Sequence, residues 1–285
     1  MRAHPSLCLL TSGERRAGSP YTPALADSTT VSTYLDGDGP RAFAHRGWHT
    51  GDYAGLENTA VAFGKAFDEG YRYLETDVHV TADGKLIAFH DHILDRVTDQ
   101  KGRVSALTWD QIRRARIAGR EPIPLLADLL GDFPDAKFNI DPKTDRAIGP
   151  LIDVLRATNA TDRVCLGSFS DRRLIALRSA LGPSLATSMG PREVTAMVAR
   201  GRRVPLWRYR GSAVAAQVPM SQGPIPVVSP GFITAAHRLG IEIHVWTVDD
   251  PAVMHRLLDA GVDGILTDRP DLLREVLTAR GSWPS

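Results

Sequence analysis

The stretch "GYRYLETDVHVTADGKLIAFHDH", Gly70 to His92, sets two acids two residues apart at the end of one apolar run and a His-Asp pair at the end of the next. A β-strand places residues i, i+2 and i+4 on one face. In "YLETDVHV" this rule groups Glu75 with Asp77 and turns Leu74, Thr76 and Val78 the other way, where they would pack on helices. Asp83 and Gly84 read as the turn that joins this run to "KLIAFH". Downstream, "KFNIDPK" repeats the design, with Asn139, Asp141 and Lys143 on one face and Phe138 and Ile140 on the other. Two strands thus each carry carboxylates on a polar face and hydrocarbon on the opposite one.

Outward from these runs, short apolar segments alternate with helix-like ones. "RAFAH" is followed by "TAVAFGKAFDEG", "RVCLGS" by "RRLIALRSAL", and "IEIHVWTV" by "PAVMHRLLDAG". Strand and helix in alternation are the pattern of a parallel α/β sheet. About eight or nine strand-like runs follow Arg41, the number and span of a (β/α)8 barrel. An open doubly wound sheet is the other arrangement. The first strand-helix turn lacks the G-x-G-x-x-G phosphate loop of its commonest ligand binders. Polar residues also close several different strands, which is where barrel enzymes build their sites. We expect an α/β chain with a single-domain TIM barrel over 39–285. Before it, a stretch rich in Gly, Ser, Thr and Pro predicts a flexible leader over 1–38.

A net charge of +1, with no aromatic-interleaved basic stripe, gives no support to nucleic acid as a partner. Two cysteines, Cys8 and Cys165, make a disulfide framework unexpected and point to a reducing, cytoplasmic setting. The N-terminal apolar stretch "LCLL" falls short of the roughly 7–15 residues of a signal-peptide core, and no run approaches the roughly 20 apolar residues of a membrane span. The oligomeric state is not legible.

Glu75, Asp77 and Asp141 at one strand-end rim would repel one another unless a cation held them. All-oxygen ligands suit one hard divalent ion, Mg²⁺ or Ca²⁺, rather than zinc. His45 in "AFAHRG" and His90 in "IAFHD" each close an apolar run. Beside a cation they suit a base and an acid that titrate near neutral pH. Arg46 and Lys143 add positive charge for an anionic phosphate oxygen, Arg46 as a planar fork and Lys143 as a point charge. Other polar residues have simpler readings. Asn58 would cap the helix that opens at "NTAVAF", Asp268 would cap the one at "RPDLL", His79 would face solvent, and His237 and His244 would be structural.

Taken in order, "AHRG" with "ENT", E-x-D with T-x-DG, HD-x-x-L-x-R-x-T, N-x-x-x-K, "VWTV" and "GVDGILTDRP" resemble the glycerophosphodiester phosphodiesterase family from about Ala44 to Pro270. The resemblance implies a (β/α)8 barrel that uses a divalent cation to hydrolyse small-molecule phosphodiesters, deacylated phospholipid headgroups, into glycerol phosphate and an alcohol. Carried over by position, His45 and His90 resemble the acid-base pair, and Glu75, Asp77 and Asp141 the metal ligands. Arg46 and Lys143 resemble phosphate contacts, and Trp246 an apolar wall beside the substrate. Asp141 stands where the family usually has Glu, so that ligand is one methylene shorter, and Leu56 stands where Pro is frequent. Two alternatives share these residues: a phospholipase D-like enzyme acting on lysolipid or sphingomyelin headgroups, and an inactive barrel that serves as a binding module.

Overall fold

The structure, a computed structural model, describes residues 33–204, 209 and 211–283. Eight parallel strands form the barrel: β1 Arg41–His45, β2 Tyr73–Val80, β3 Lys137–Pro142, β4 Val164–Leu166, β5 Ala186–Thr187, β6 Ala215–Val218, β7 Glu242–Val245 and β8 Gly264–Thr267. Each is followed by a helix: α1 Ala60–Asp68, α2 Leu126–Asp132, α3 Ile148–Ala157, α4 Asp171–Leu181, α5 Pro191–Gly201, α6 Pro230–His237, α7 Pro251–Asp259 and α8 Pro270–Ala279. Consecutive strands are neighbours, and β8 pairs β1. Between β5 and β6 the ring closes through one bridge, Ser188 to Ala215, flanked by bonds from Met189 N to Ala215 O at 2.8 Å and from Val214 N to Thr187 O at 3.0 Å. The β2–β3 pairing is far longer, with six residue pairs in register.

Period-2 alternation divides the core in two. Ala42, Ala44, Leu74, Val78, Phe138, Ile140 and Ile265 point outward and pack with helix residues such as Phe63, Leu129, Leu151 and Leu273. Phe43, Tyr73, Cys165, Ala186 and Leu266 form a smaller inner cluster, which Tyr34 joins from the turn Thr33–Leu35. The tyrosine rings meet edge to face at 5.4 Å, and the Tyr73 hydroxyl donates to Tyr34 O at 3.0 Å. The part of the expected leader up to residue 32 lies outside the described residues, whereas Tyr34 is fully buried against the barrel.

Local chemistry explains the helix positions. Asp250 accepts from Ala252 N and Val253 N ahead of Pro251, and so starts α7. Along α8, Leu273, Val276 and Leu277 recur at the i, i+3, i+4 spacing that buries one helix face. The cap of α1 is Thr59, which accepts from Ala62 N, and not Asn58 as expected. Asn58 instead adopts φ +60° and accepts from the Thr76 hydroxyl at 2.7 Å, so it belongs to the turn before the cap. Where α5 and α6 meet, a Cβ on Gly231 would lie 2.1 Å from Gly201 O, so glycine is needed for the approach.

The turn after β2 makes a hairpin, as expected: within "KLIAFH", Leu86–Ala88 pairs antiparallel with β2, Val78 opposite Ala88, and stays outside the parallel ring. It opens an insertion between β2 and α2 with its own core of Ile87, Phe89, Leu94, Ile112 and Ile117. The Thr81-x-Asp83-Gly84 turn forces this reversal, with Gly84 at φ +85° and the Thr81 hydroxyl bonded to Asp83 Oδ1 at 2.6 Å.

Candidate active site

Parallel register gathers the acids. His45 lies beside Glu75 across β1 and β2, and Asp77 beside Asp141 across β2 and β3, all at the C-terminal rim. The Lys143 ammonium contacts Asp77 Oδ1 at 2.5 Å and Asp141 Oδ2 at 2.9 Å. Arg46 Nε stands 3.4 Å from Asp77 Oδ2, and Arg46 N donates to Glu75 Oε2 at 3.2 Å. Arg46 holds φ +57°, a left-handed conformation that costs energy without glycine and turns the chain sharply at the end of β1. Asp77 Oδ2 and Asp141 Oδ1 are buried with no hydrogen-bond partner.

Burial and the Asp77 charge push the Glu75 carboxyl up to about 7. Burial also raises Asp141, against the pull of Lys143. Lys143 is held above its ordinary value because Asp77 and Asp141 outweigh its own burial. Among the described residues no three His, Cys, Asp or Glu side chains are gathered as a ready ligand set. Glu75, Asp77 and Asp141 share one wall, with Lys143 between the last two.

Each rim histidine is fixed through Nδ1. In His45 it meets Asp268 Oδ1 at 2.5 Å while Nε2 lies 3.6 Å from Glu75 Oε2. Burial would lower the His45 pKa, but the Glu75 charge and the Asp268 bond outweigh it and raise it. Asp268 also meets His49 Nε2 at 3.2 Å, and these histidine contacts overcome its burial and hold its carboxyl far below the usual range. In His90, Nδ1 meets Asp91 Oδ1 at 2.6 Å. Arg96 bonds Asp91 Oδ2 at 2.6 Å and both Glu57 oxygens at 2.7 and 2.9 Å, and Glu57 reaches Arg46 at 3.2 Å. The Arg96 bond, with the weaker help of His90, brings Asp91 down to about 2. Both histidines, Arg46, Lys143, the three acids and Trp246 line one cavity of about 690 Å³.

The sequence profile described as the glycerophosphoryl diester phosphodiesterase family matches residues 45–272. The chain belongs to the glycerophosphoryl diester phosphodiesterase family. It is 41% identical over 253 residues to a Mycobacterium tuberculosis protein named probable glycerophosphodiester phosphodiesterase 2, covering 88% of this chain and 95% of that one. A glycerophosphodiester phosphodiesterase structure from Agrobacterium tumefaciens, 27% identical, covers 82% of this chain and 98% of its own with a TM-score of 0.66. An Oleispira antarctica phosphodiesterase, in complex with the product sn-glycerol-3-phosphate, shares the fold at a TM-score of 0.69 and 20% identity, with 84% of this chain and 97% of that one covered.

Within this phosphodiesterase-family chain, all eight residues singled out beforehand reach the one cavity: His45, Arg46, Glu75, Asp77, His90, Asp141, Lys143 and Trp246. Trp246 meets Phe169 edge to face at 5.6 Å on the far side of the mouth. Sequence reasoning missed Asp268. It caps no helix, because Arg269 occupies the cap position of α8 without a side-chain bond, and the Asp268 carboxylate goes to His45. Its place at the end of "GILTD" was the available signal, since β8 neighbours β1 in a closed barrel. Arg96 was noted only as a motif letter. His79, expected in solvent, is buried because β2 runs on to Val80, and its Nε2 reaches His90 O at 3.0 Å. His244 lies inside the barrel, bonded to Glu242 at 2.9 Å and tilted against Phe43 with ring centres 4.8 Å apart. Among the described residues no helix is long and apolar enough to cross a membrane.

Proposed function

We propose that this protein hydrolyses glycerophosphodiesters to glycerol phosphate and an alcohol, with His45 and His90 as acid-base pair and Glu75, Asp77 and Asp141 as ligands of one divalent cation, Mg²⁺ or Ca²⁺. The observation that carries the reading is that two histidines, each with Nδ1 fixed on a carboxylate, face the same cavity as a buried acidic wall. The donor set fits a hard cation: Asp77 Oδ2 and Asp141 Oδ1 are buried oxygens that accept no hydrogen bond, although Arg46 Nε stands 3.4 Å from the first. When bound, such a cation offsets the negative charge that grows on a non-bridging phosphate oxygen.

The chain's own groups supply the rest. Arg46 and Lys143 hold the phosphate, opposite charge against opposite charge. With Nδ1–H committed to Asp268 or Asp91, each imidazole presents Nε2 to the substrate. One Nε2 takes the proton from the attacking hydroxyl and the other returns a proton to the leaving alkoxide; if the substrate's own glycerol hydroxyl attacks, a cyclic phosphate results, which water, deprotonated in turn, opens to glycerol phosphate. Asp268 and Asp91 fix the tautomer and stabilise whichever ring becomes charged. Trp246 and Phe169 keep water from one side of the mouth. A reducing cytoplasm is the proposed setting, in keeping with Cys165, a buried free thiol.

The test is a panel of glycerophosphodiesters with choline, ethanolamine, glycerol and inositol leaving groups, stripped with EDTA and given each cation back. Glycerol phosphate should appear only after a cation is restored. His45→Ala and His90→Ala should each lower kcat by roughly 10²–10⁴-fold. Unchanged turnover in either variant overturns the assignment of that histidine.

A further inference from the structure

A line of polar side chains crosses the interior of the barrel beneath the acids. Arg41 of β1 pairs with Glu242 of β7, donating from Nη2 to Oε1 at 3.0 Å and from Nε to Oε2 at 3.3 Å. His244, two residues on and fully buried, meets the same Oε2 through Nε2 at 2.9 Å. Its Nδ1 lies 3.4 Å from Gln217 Nε2 of β6, and that amide nitrogen also donates to Asn139 Oδ1 of β3 at 3.0 Å. Neither the acid-base pair nor the three-acid wall includes any of these residues, yet Asn139 and Gln217 line the cavity.

The first member of the line fixes the direction of every bond that follows. A carboxylate paired with a guanidinium only accepts, so His244 Nε2 carries the proton it shares with Glu242. With Nε2–H committed, Nδ1 is the acceptor of the neutral ring. An acceptor at that place orients the Gln217 amide with its NH2 towards His244 and Asn139. Its Oε1 turns to the gap between Gly167 and Ser188, where a Cβ on Gly167 would lie 3.3 Å from it. Asn139 therefore accepts at Oδ1 and is left with Nδ2 to offer.

That donor is open. Asn139 is 5% exposed, and among the described residues no protein group accepts from its Nδ2. Buried amide groups almost always have a partner, so an open one at a cavity surface calls for an oxygen from outside the chain. In register Asn139 stands beside Glu75, one step deeper than the Asp77–Asp141 pair, at the floor of the same cavity.

We infer that Asn139 is a substrate-binding residue whose Nδ2 donates to an oxygen of the phosphodiester, and that Gln217 and His244 are positioning residues that keep its amide from turning over. This rests on the phosphodiesterase reading and adds a neutral, oriented donor to the charged contacts of Arg46 and Lys143. Phosphate oxygens and glycerol hydroxyls both accept from such a donor. Turned over, Asn139 would set its own acceptor against them, which leaves polar groups unpaired at a buried site.

Titration calorimetry on the full chain, with cation saturating, takes sn-glycerol 3-phosphate and inorganic phosphate as probes. Asn139→Ala should raise Kd for glycerol phosphate about 5–30-fold, the loss of one hydrogen bond. An equal rise for inorganic phosphate assigns the donor to the phosphate, and a rise confined to glycerol phosphate assigns it to the organic hydroxyl. Gln217→Met, close in shape but without the amide, should cost part of that loss and add nothing in the Asn139→Ala background, because a positioning residue acts only through the group it positions. The polarity of the line is read separately, by nitrogen NMR of the unaltered protein, which should show His244 protonated at Nε2 and not at Nδ1. A Kd unchanged for both probes in Asn139→Ala, full additivity in the double variant, or a proton on His244 Nδ1 overturns the inference. Weaker product binding by Asn139→Ala, with no hydrolysis of any diester by the unaltered chain, overturns the phosphodiesterase reading and leaves the donor standing. Hydrolysis of glycerophosphocholine with Kd indifferent to Asn139→Ala does the reverse.

Discussion

His45 and His90 both rest Nδ1 on a carboxylate, at 2.5 and 2.6 Å, but the two carboxylates are held by different parts of the molecule. Asp268 follows the last barrel strand, and its backbone N–H donates to Asp249 at 2.8 Å, so β1 and β8 together set the position of His45. Asp91 belongs to the insertion outside the barrel, and Arg96, with a side chain 47% exposed, ties it to Glu57. Sheet pairing places the carboxylate that holds one histidine, and an ion-pair network through the half-exposed Arg96 places the carboxylate that holds the other. Hydrogen-bonded strands are indifferent to salt and moderate pH, whereas exposed ion pairs respond to both. The two halves of one proposed acid-base pair should therefore fail under different conditions.

The hardest way to break this arrangement is on the barrel side. Asp268→Asn keeps the size but replaces the Nδ1–H acceptor with an ambiguous amide, and kcat should fall by roughly 10²–10⁴-fold, since the analogous change in a serine-protease triad costs about 10⁴. Steady-state kinetics at saturating substrate measure this, and a loss below fivefold would remove Asp268 from the positioning of His45.

Arg96→Ala should have a smaller effect, about 10–100-fold on kcat, in the range of lost outer-shell partners. Arg96→Lys should restore part of it. Salt sharpens the contrast. With substrate saturating, kcat of the unaltered protein should decline as NaCl is raised towards about 1 M, where the Debye length shrinks to about 3 Å, and the decline should vanish in Arg96→Ala. A purely structural role for Arg96 would leave that salt dependence in place.

The smallest effect is on acid stability. The Asp91 carboxyl is depressed to about 2 in the folded chain, chiefly by Arg96, against 3.8 for a free aspartate. A depressed folded value stabilises the fold above the unfolded pKa, and that contribution is lost as pH falls from about 4 towards 2. Arg96→Gln should remove this part of the acid dependence by lowering stability at pH 7, by about 1 kcal/mol after allowance for the exposure of the pair, while leaving stability near pH 2 almost unchanged. Urea unfolding at pH 3 and pH 7 compares the two proteins, and an identical pH dependence would contradict the network.

What the sequence made legible follows the same division. The period of two groups Glu75 with Asp77 and Asp141 with Lys143 because neighbours on a strand fix their own faces, whatever the rest of the chain does. The partnership of His45 with Asp268 spans 223 residues and exists only because β8 closes on β1. Without that closure, a Thr-Asp before Arg-Pro reads as a helix cap. The hairpin at the start of the insertion was legible from the Thr81–Gly84 turn, whereas its separate core, with Leu94, Ile112 and Ile117, was not, because those residues lie in short irregular segments without a period. Arg96 lies in an irregular loop with no period to give it a face.

The seam where the ring closes has a consequence for how the molecule divides its tasks. β5 and β6 meet through a single bridge, whereas β2 and β3 share six registered pairs. The acids stand on the strongly laced side, away from the seam. Local opening favours regions with few backbone bonds, so the barrel should loosen first between β5 and β6, where the disturbance is remote from the register that sets Glu75, Asp77 and Asp141 beside one another.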